Sequence, residues 1–131
     1  MRKRSPIVTW SISIVLALFF AAQGLTKFWG PSAVDWANRF LKWGYPKGFH
    51  SVVGLIEVVS GLALLLPWSR KGAAVSLTVV MAGAIGTHLI HGELLRVIPP
   101  LILGMLALLL LFPGPILERR RLSSGDSDAC E

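Results

Sequence analysis

The chain has 131 residues, of which 53% are hydrophobic and 15% charged, against about 25% charged in soluble domains. Its net charge of +6 at pH 7 would suit nucleic acid, but the cations flank apolar blocks, where a membrane protein carries them, so no nucleic-acid partner is expected. The single cysteine, Cys130, excludes a disulfide framework, a CxxC motif and a thiolate metal site within the chain.

The apolar residues are gathered into four blocks, which predicts an all-α membrane protein. The expected architecture is a four-transmembrane-helix bundle with a short interfacial amphipathic helix in the first loop. Helices are expected over residues 7–26, 49–66, 72–90 and 97–112 within a domain of residues 1–116. Residues 117–131 are polar and read as a disordered cytoplasmic tail.

The first block follows Arg2, Lys3 and Arg4. A basic start before an apolar run also describes a signal peptide, with Ala22-Gln23-Gly24 as a small-x-small cleavage site. The run is longer than a usual signal core, so it is read as a retained first helix. Phe28-Trp29-Gly30-Pro31 is expected to break it. A short amphipathic helix should then run from a Ser32 cap to Lys42. Ala33, Trp36, Ala37, Phe40 and Leu41 make its apolar face, and Trp29, Trp36 and Trp43 read as an interfacial belt.

Trp43-Gly44-Tyr45-Pro46 turns the chain into the second span, whose centre carries the acid Glu57. A carboxyl group at that depth costs roughly a few kcal/mol and usually faces the bundle interior. Gly54 at i−3, Ser60 at i+3 and Gly61 at i+4 put the acid on a small-residue face that another helix can approach. The third span, after the basic turn Arg70-Lys71, is rich in glycine and alanine, which suits close packing. It ends near His88. Pro99 and Pro100 fall in the first turn of the fourth span, where proline is tolerated.

Four spans put both termini on one side, with eight Lys and Arg residues there against five on the other. That bias favours cytoplasmic termini in a multi-pass inner-membrane protein. Lys27, Glu57 and His88 then belong to the same half of the bundle, with Gln23 one turn from Lys27. They can meet in one ligand or proton pocket. Alternatively Lys27 snorkels outward and Glu57 pairs with His88 or water, or Glu57 is a structural acid whose Glu57→Gln exchange is mild. His88 and His91 alone make a weak metal site, so no tightly bound metal or haem is expected.

Gly24-Leu25-Thr26-Lys27, Trp43-Gly44-Tyr45-Pro46, Gly54-Leu55-Ile56-Glu57, and Gly83-Ala84 followed by His88-Leu89 resemble the DoxX-like family over about residues 8–112. The resemblance implies a four-helix integral membrane protein with Gly24, Trp43, Gly44, Tyr45, Pro46 and Gly54 as structural motif positions. It also implies an oxidoreductase-associated role, as accessory or anchor subunit of a quinone-linked or oxidative-stress system, with a quinone as possible ligand. The alternative is an assembly or chaperone-like factor, or a small carrier. Expected partners are the lipid bilayer and other membrane proteins or further copies of the chain. No nucleotide loop, metal cage or catalytic triad is present, so enzymatic activity of its own is left open.

Overall fold

Helix α1 (Pro6–Leu25) begins where Ser5 accepts the Val8 N–H at 3.3 Å and Pro6 occupies the first turn, where a missing N–H costs nothing. It is followed by α2 (Gly30–Lys42), α3 (Phe49–Ala63), α4 (Arg70–Ile90), a 3-10 turn (Leu94–Val97) and α5 (Ile98–Leu109). The computed structural model describes residues 5–112, and among them there is no strand. The expected tail at 117–131 lies outside the described residues.

Among the described residues two helices, α1 and α4, are long and apolar enough to cross a membrane; α3 and the stretch Leu94–Leu109 are apolar but shorter. The second span was expected to run to residue 66, yet α3 ends at Ala63. Leu64, Leu65 and Leu66 instead donate to carbonyls three residues back, a tightening that precedes Pro67. Side chains complete the capping there: Ser69 Oγ also donates to Ala63 O at 2.8 Å, and Arg70 Nε donates to Leu64 O at 3.0 Å.

α1 lies along α3, and α4 packs on both α3 and α5. The core between them holds Leu16, Phe20, Leu64, Ala74, Leu77, Met81 and Ala107. Ser60 Oγ donates to Ser76 Oγ at 3.0 Å, tying α3 to α4. Outward faces are apolar: Ile7, Leu18, Val59, Leu62, Val79 and Ile102 are all exposed. A water-soluble monomer rarely displays such a continuous apolar surface.

The closest helix contact is α1 on α3, and glycine makes it possible. A Cβ on Gly24 would stand 2.6 Å from Gly54 O, and one on Gly54 would stand 2.9 Å from Gly24 O. Gly61 faces Phe20 and the α1 backbone in the same way. The glycines of α4 were expected to serve close packing as well. They do not: a Cβ on Gly72, Gly83 or Gly86 would meet nothing within 4 Å. α4 meets its neighbours through the buried Ala73 and Ala74 and, on the α5 side, through Gly104, whose added Cβ would stand 3.2 Å from Met81 Cβ.

α2 also departs from the sequence reading. It starts at Gly30, its N-cap is Trp29 without a side-chain cap, and Pro31 sits inside its first turn. Proline fits there because that N–H has no helical acceptor, so Pro31 opens the helix that it was expected to precede and Ser32 does not cap it. Phe40 is its one buried residue, while Leu41, placed on the apolar face by sequence, is 50% exposed.

Candidate functional site

Lys27 lies in the turn that ends α1, where its stem bends back along the helix. Its Nζ donates to Gln23 O at 3.4 Å and to Glu57 Oε2 of α3 at 2.5 Å. Lys27 and Glu57 are 2% and 4% exposed, so the ion pair is enclosed. The Trp36 ring of α2 covers the ammonium, with Nζ 4.4 Å from its centroid. Carboxylate, carbonyl and ring face thus surround the buried cation, replacing the water it leaves. The Gly24–Gly54 contact sets the spacing of this pair, since it brings the α1 end and the Glu57 turn of α3 together.

A second cluster closes the far wall. α2 ends in a Schellman motif: Gly44, at φ 85, donates to Leu41 O and Tyr45 to Phe40 O. The motif throws Tyr45 inward, its ring against Phe40, and its hydroxyl 2.6 Å from Thr87 Oγ1 of α4. Thr87 gives its own proton to Gly83 O at 2.9 Å, so Tyr45 is the donor to Thr87. Trp43 stands edge-on to the His88 ring, centroids 5.3 Å apart.

α4 ends by the same device. Gly92, at φ 70, donates to Leu89 O and Glu93 to His88 O. This folds Glu93 back onto His88, whose Nδ1 donates to Oε2 at 2.8 Å; Arg96 reaches Oε1 at 3.2 Å. The His88 hydrogen bond holds the Glu93 carboxyl below its ordinary range, with Arg96 adding to the effect. A lowered folded-state pKa means the contact contributes fully above the ordinary glutamate value of about 4.3 and is lost as pH falls through the lowered one. A thermal-melting series in detergent should therefore show a step below about pH 4.3 that Glu93→Gln removes. A step of equal size in the variant would assign it to other groups.

Between these clusters lies a cavity of about 610 Å³. Gln23, Lys27, Glu57 and His88, the residues singled out by sequence, all line it. Lys27 bonds the Glu57 carboxylate and the Gln23 carbonyl; His88 goes to Glu93 rather than to Glu57, and Lys27 does not snorkel outward. Sequence reasoning missed Trp36, Arg39, Tyr45 with Thr87, and Arg96 as wall residues. Glycine at residue 92 after the last apolar residue of α4 was a readable stop signal that carries Glu93 to His88. No local signal joins Tyr45 to Thr87. Of the three tryptophans read as an interfacial belt, Trp36 and Trp43 line the cavity, and Trp29 is 71% exposed. His91 Nδ1 donates to Thr87 O at 2.8 Å, and among the described residues no three His, Cys, Asp or Glu side chains gather as a metal site.

No solved structure matches the chain. It is similar to the uncharacterized membrane protein Rv3486 of Mycobacterium tuberculosis, 34% identical over 76 residues, covering 56% of this chain and 46% of that protein. The chain thus spans about half the length of that relative. It is also similar to the uncharacterized protein YdgD of Bacillus subtilis, 30% identical over 92 residues, covering 66% of this chain and 78% of the relative. The DoxX-like family model matches residues 11–110, which takes in the glycine contact, the ion pair, both Schellman turns and the whole cavity wall, and the chain belongs to the DoxX-like family.

Proposed function

We propose that this protein is a four-span inner-membrane protein that acts as an accessory or anchor subunit of a quinone-linked or oxidative-stress redox system. The cavity beside Glu57 receives the polar head of a quinone or similar ligand. The observation that carries this reading is the composition of that cavity. About 610 Å³ of space has a buried Lys27–Glu57 pair and a Tyr45 hydroxyl on its walls, with Phe19, Phe20, Val53, Ile56 and Leu103 around them. A ring with two carbonyl oxygens needs a few fixed donors and otherwise apolar or aromatic surface, which is the usual make-up of a small-molecule site. Lys27, with a third N–H beyond those given to Gln23 and Glu57, and the wall residues Arg39 and Arg96 supply the donors. Trp36 and Trp43 supply flat faces. The α3 and Leu94–Leu109 segments span in this reading although short, since a short apolar helix is accommodated by local thinning or by flanking residues.

Two measurements test it. Because Trp36 and Trp43 line the cavity, a short-chain ubiquinone analogue should quench tryptophan fluorescence of the purified protein saturably, and Trp36→Phe with Trp43→Phe should remove the saturable part. Linear quenching in the unchanged protein would refute a quinone site. For topology, single cysteines at residues 35 and 42, in a chain with Cys130 replaced by serine, should react with an impermeant reagent in intact cells. Protection of both until the cells are opened would reverse the orientation.

A further inference from the structure

At the opposite end of the bundle from the cavity, Arg70 opens α4. Its Nε is used by Leu64 O, and its guanidinium carbon lies 4.4 Å from the centroid of the Trp10 ring of α1. These contacts fix the plane of the fork. Its Nη2 is buried and meets no acceptor. Among the described residues no carboxylate lies within ion-pair distance of Arg70 or of its neighbour Lys71. Both cations stand at the positive end of the α4 dipole, the end where a cation is disfavoured and an anion favoured. Beside them is a pocket of about 160 Å³ that also involves Thr9, Pro67, Leu110 and Phe112. Two cations and a hydroxyl against apolar walls, with no acid among the described lining residues, make an anion site with a lipid-like flank.

We propose that this pocket binds the phosphate of an anionic phospholipid. Arg70 is the oriented donor, since the planar guanidinium fork matches two phosphate oxygens. Lys71 is the second cation, and Pro67, Leu110 and Phe112 lie against the glycerol and first acyl carbons. A bound phosphate supplies the counter-charge that no carboxylate among the described residues gives the Arg70 guanidinium. The apolar walls favour a lipid over free phosphate. So do Trp10 and Trp68, 41% and 81% exposed near the same end, because such aromatics settle at headgroup level. A basic pocket between spans at that level is where anionic headgroups bind. The site is separate from the Glu57 cavity and stands whether or not that cavity takes a quinone.

The test uses the full chain in neutral detergent, titrated with phosphatidylglycerol, phosphatidylcholine or inorganic phosphate, and read by native mass spectrometry and melting temperature. Phosphatidylglycerol should be retained saturably and raise the melting temperature, and the other two should not. Arg70→Gln should weaken retention about tenfold, the worth of one charge-assisted hydrogen bond. Lys71→Gln, at an exposed side chain, should weaken it less and covers the case in which Arg70→Gln fails to fold. Lys47→Gln, which removes the same charge at the far end, should bind as the unchanged protein does. Equal effects of the two lipids, or equal loss in Lys47→Gln and Lys71→Gln, would overturn the proposal. Inorganic phosphate acting as well as phosphatidylglycerol would overturn the lipid assignment.

Discussion

Lys27→Met alone is expected to destabilise the protein by about 3–5 kcal/mol, and Lys27→Met combined with Glu57→Leu to recover most of that loss. Removing the lysine leaves Glu57, 4% exposed, as an enclosed carboxyl without a counter-ion. Removing both charges leaves an apolar contact between α1 and α3, and a buried ion pair replaced by apolar groups is often no less stable. The pairing also changes what Glu57→Gln means. An amide looks conservative for a lone acid, but here it strands the Lys27 ammonium under Trp36, so the exchange should be costly on stability alone. The informative comparison is therefore the double variant against the unchanged protein. Unfolding in detergent measures stability, and complementation of a deletion strain under oxidative challenge measures function. A double variant that folds well and fails to complement makes the pair a working site. Full complementation would leave it structural, and a double variant as unstable as Lys27→Met would show that the ion pair is not what the single change disrupts.

Gly24→Ala should be among the most damaging small changes in the chain, at about 1–3 kcal/mol or more. The added Cβ would stand 2.6 Å from Gly54 O and 2.7 Å from Val58 Cγ2. The valine methyl can turn aside; the Gly54 carbonyl is helix backbone and cannot. α1 and α3 must separate, which also draws Lys27 from Glu57. Gly54→Ala acts from the other side, its Cβ 3.0 Å from Lys27 Cβ. Gly83→Ala is the control: nothing lies within 4 Å of its Cβ, and alanine is favoured over glycine in a helix by about 1 kcal/mol. Paired melts should therefore place Gly24→Ala far below the unchanged protein and Gly83→Ala at or slightly above it. Equal melting of the two would refute a close α1–α3 contact.

Helical class, the order of the helices and the burial of Glu57 were legible from sequence, because each follows from local pattern. Apolar blocks of about 18 residues, too long for ordinary strands and separated by Gly, Pro and basic residues, read as helices and turns, and an acid inside such a block is costly wherever the chain folds. Gly44 and Gly92 were equally local signals, since a helix that stops on glycine folds the next residues back. What the tertiary structure decided is which long side chain answers that acid. Lys27 and His88 were both within reach on sequence grounds; the Gly24–Gly54 contact delivers Lys27, while the Gly92 turn gives His88 a nearer partner in Glu93. The role of Trp36 and Trp43 as cavity walls and the meeting of Tyr45 with Thr87 were likewise decided only there. These pairings join residues far apart in the chain, and nothing in a local period encodes which faces of separate helices meet.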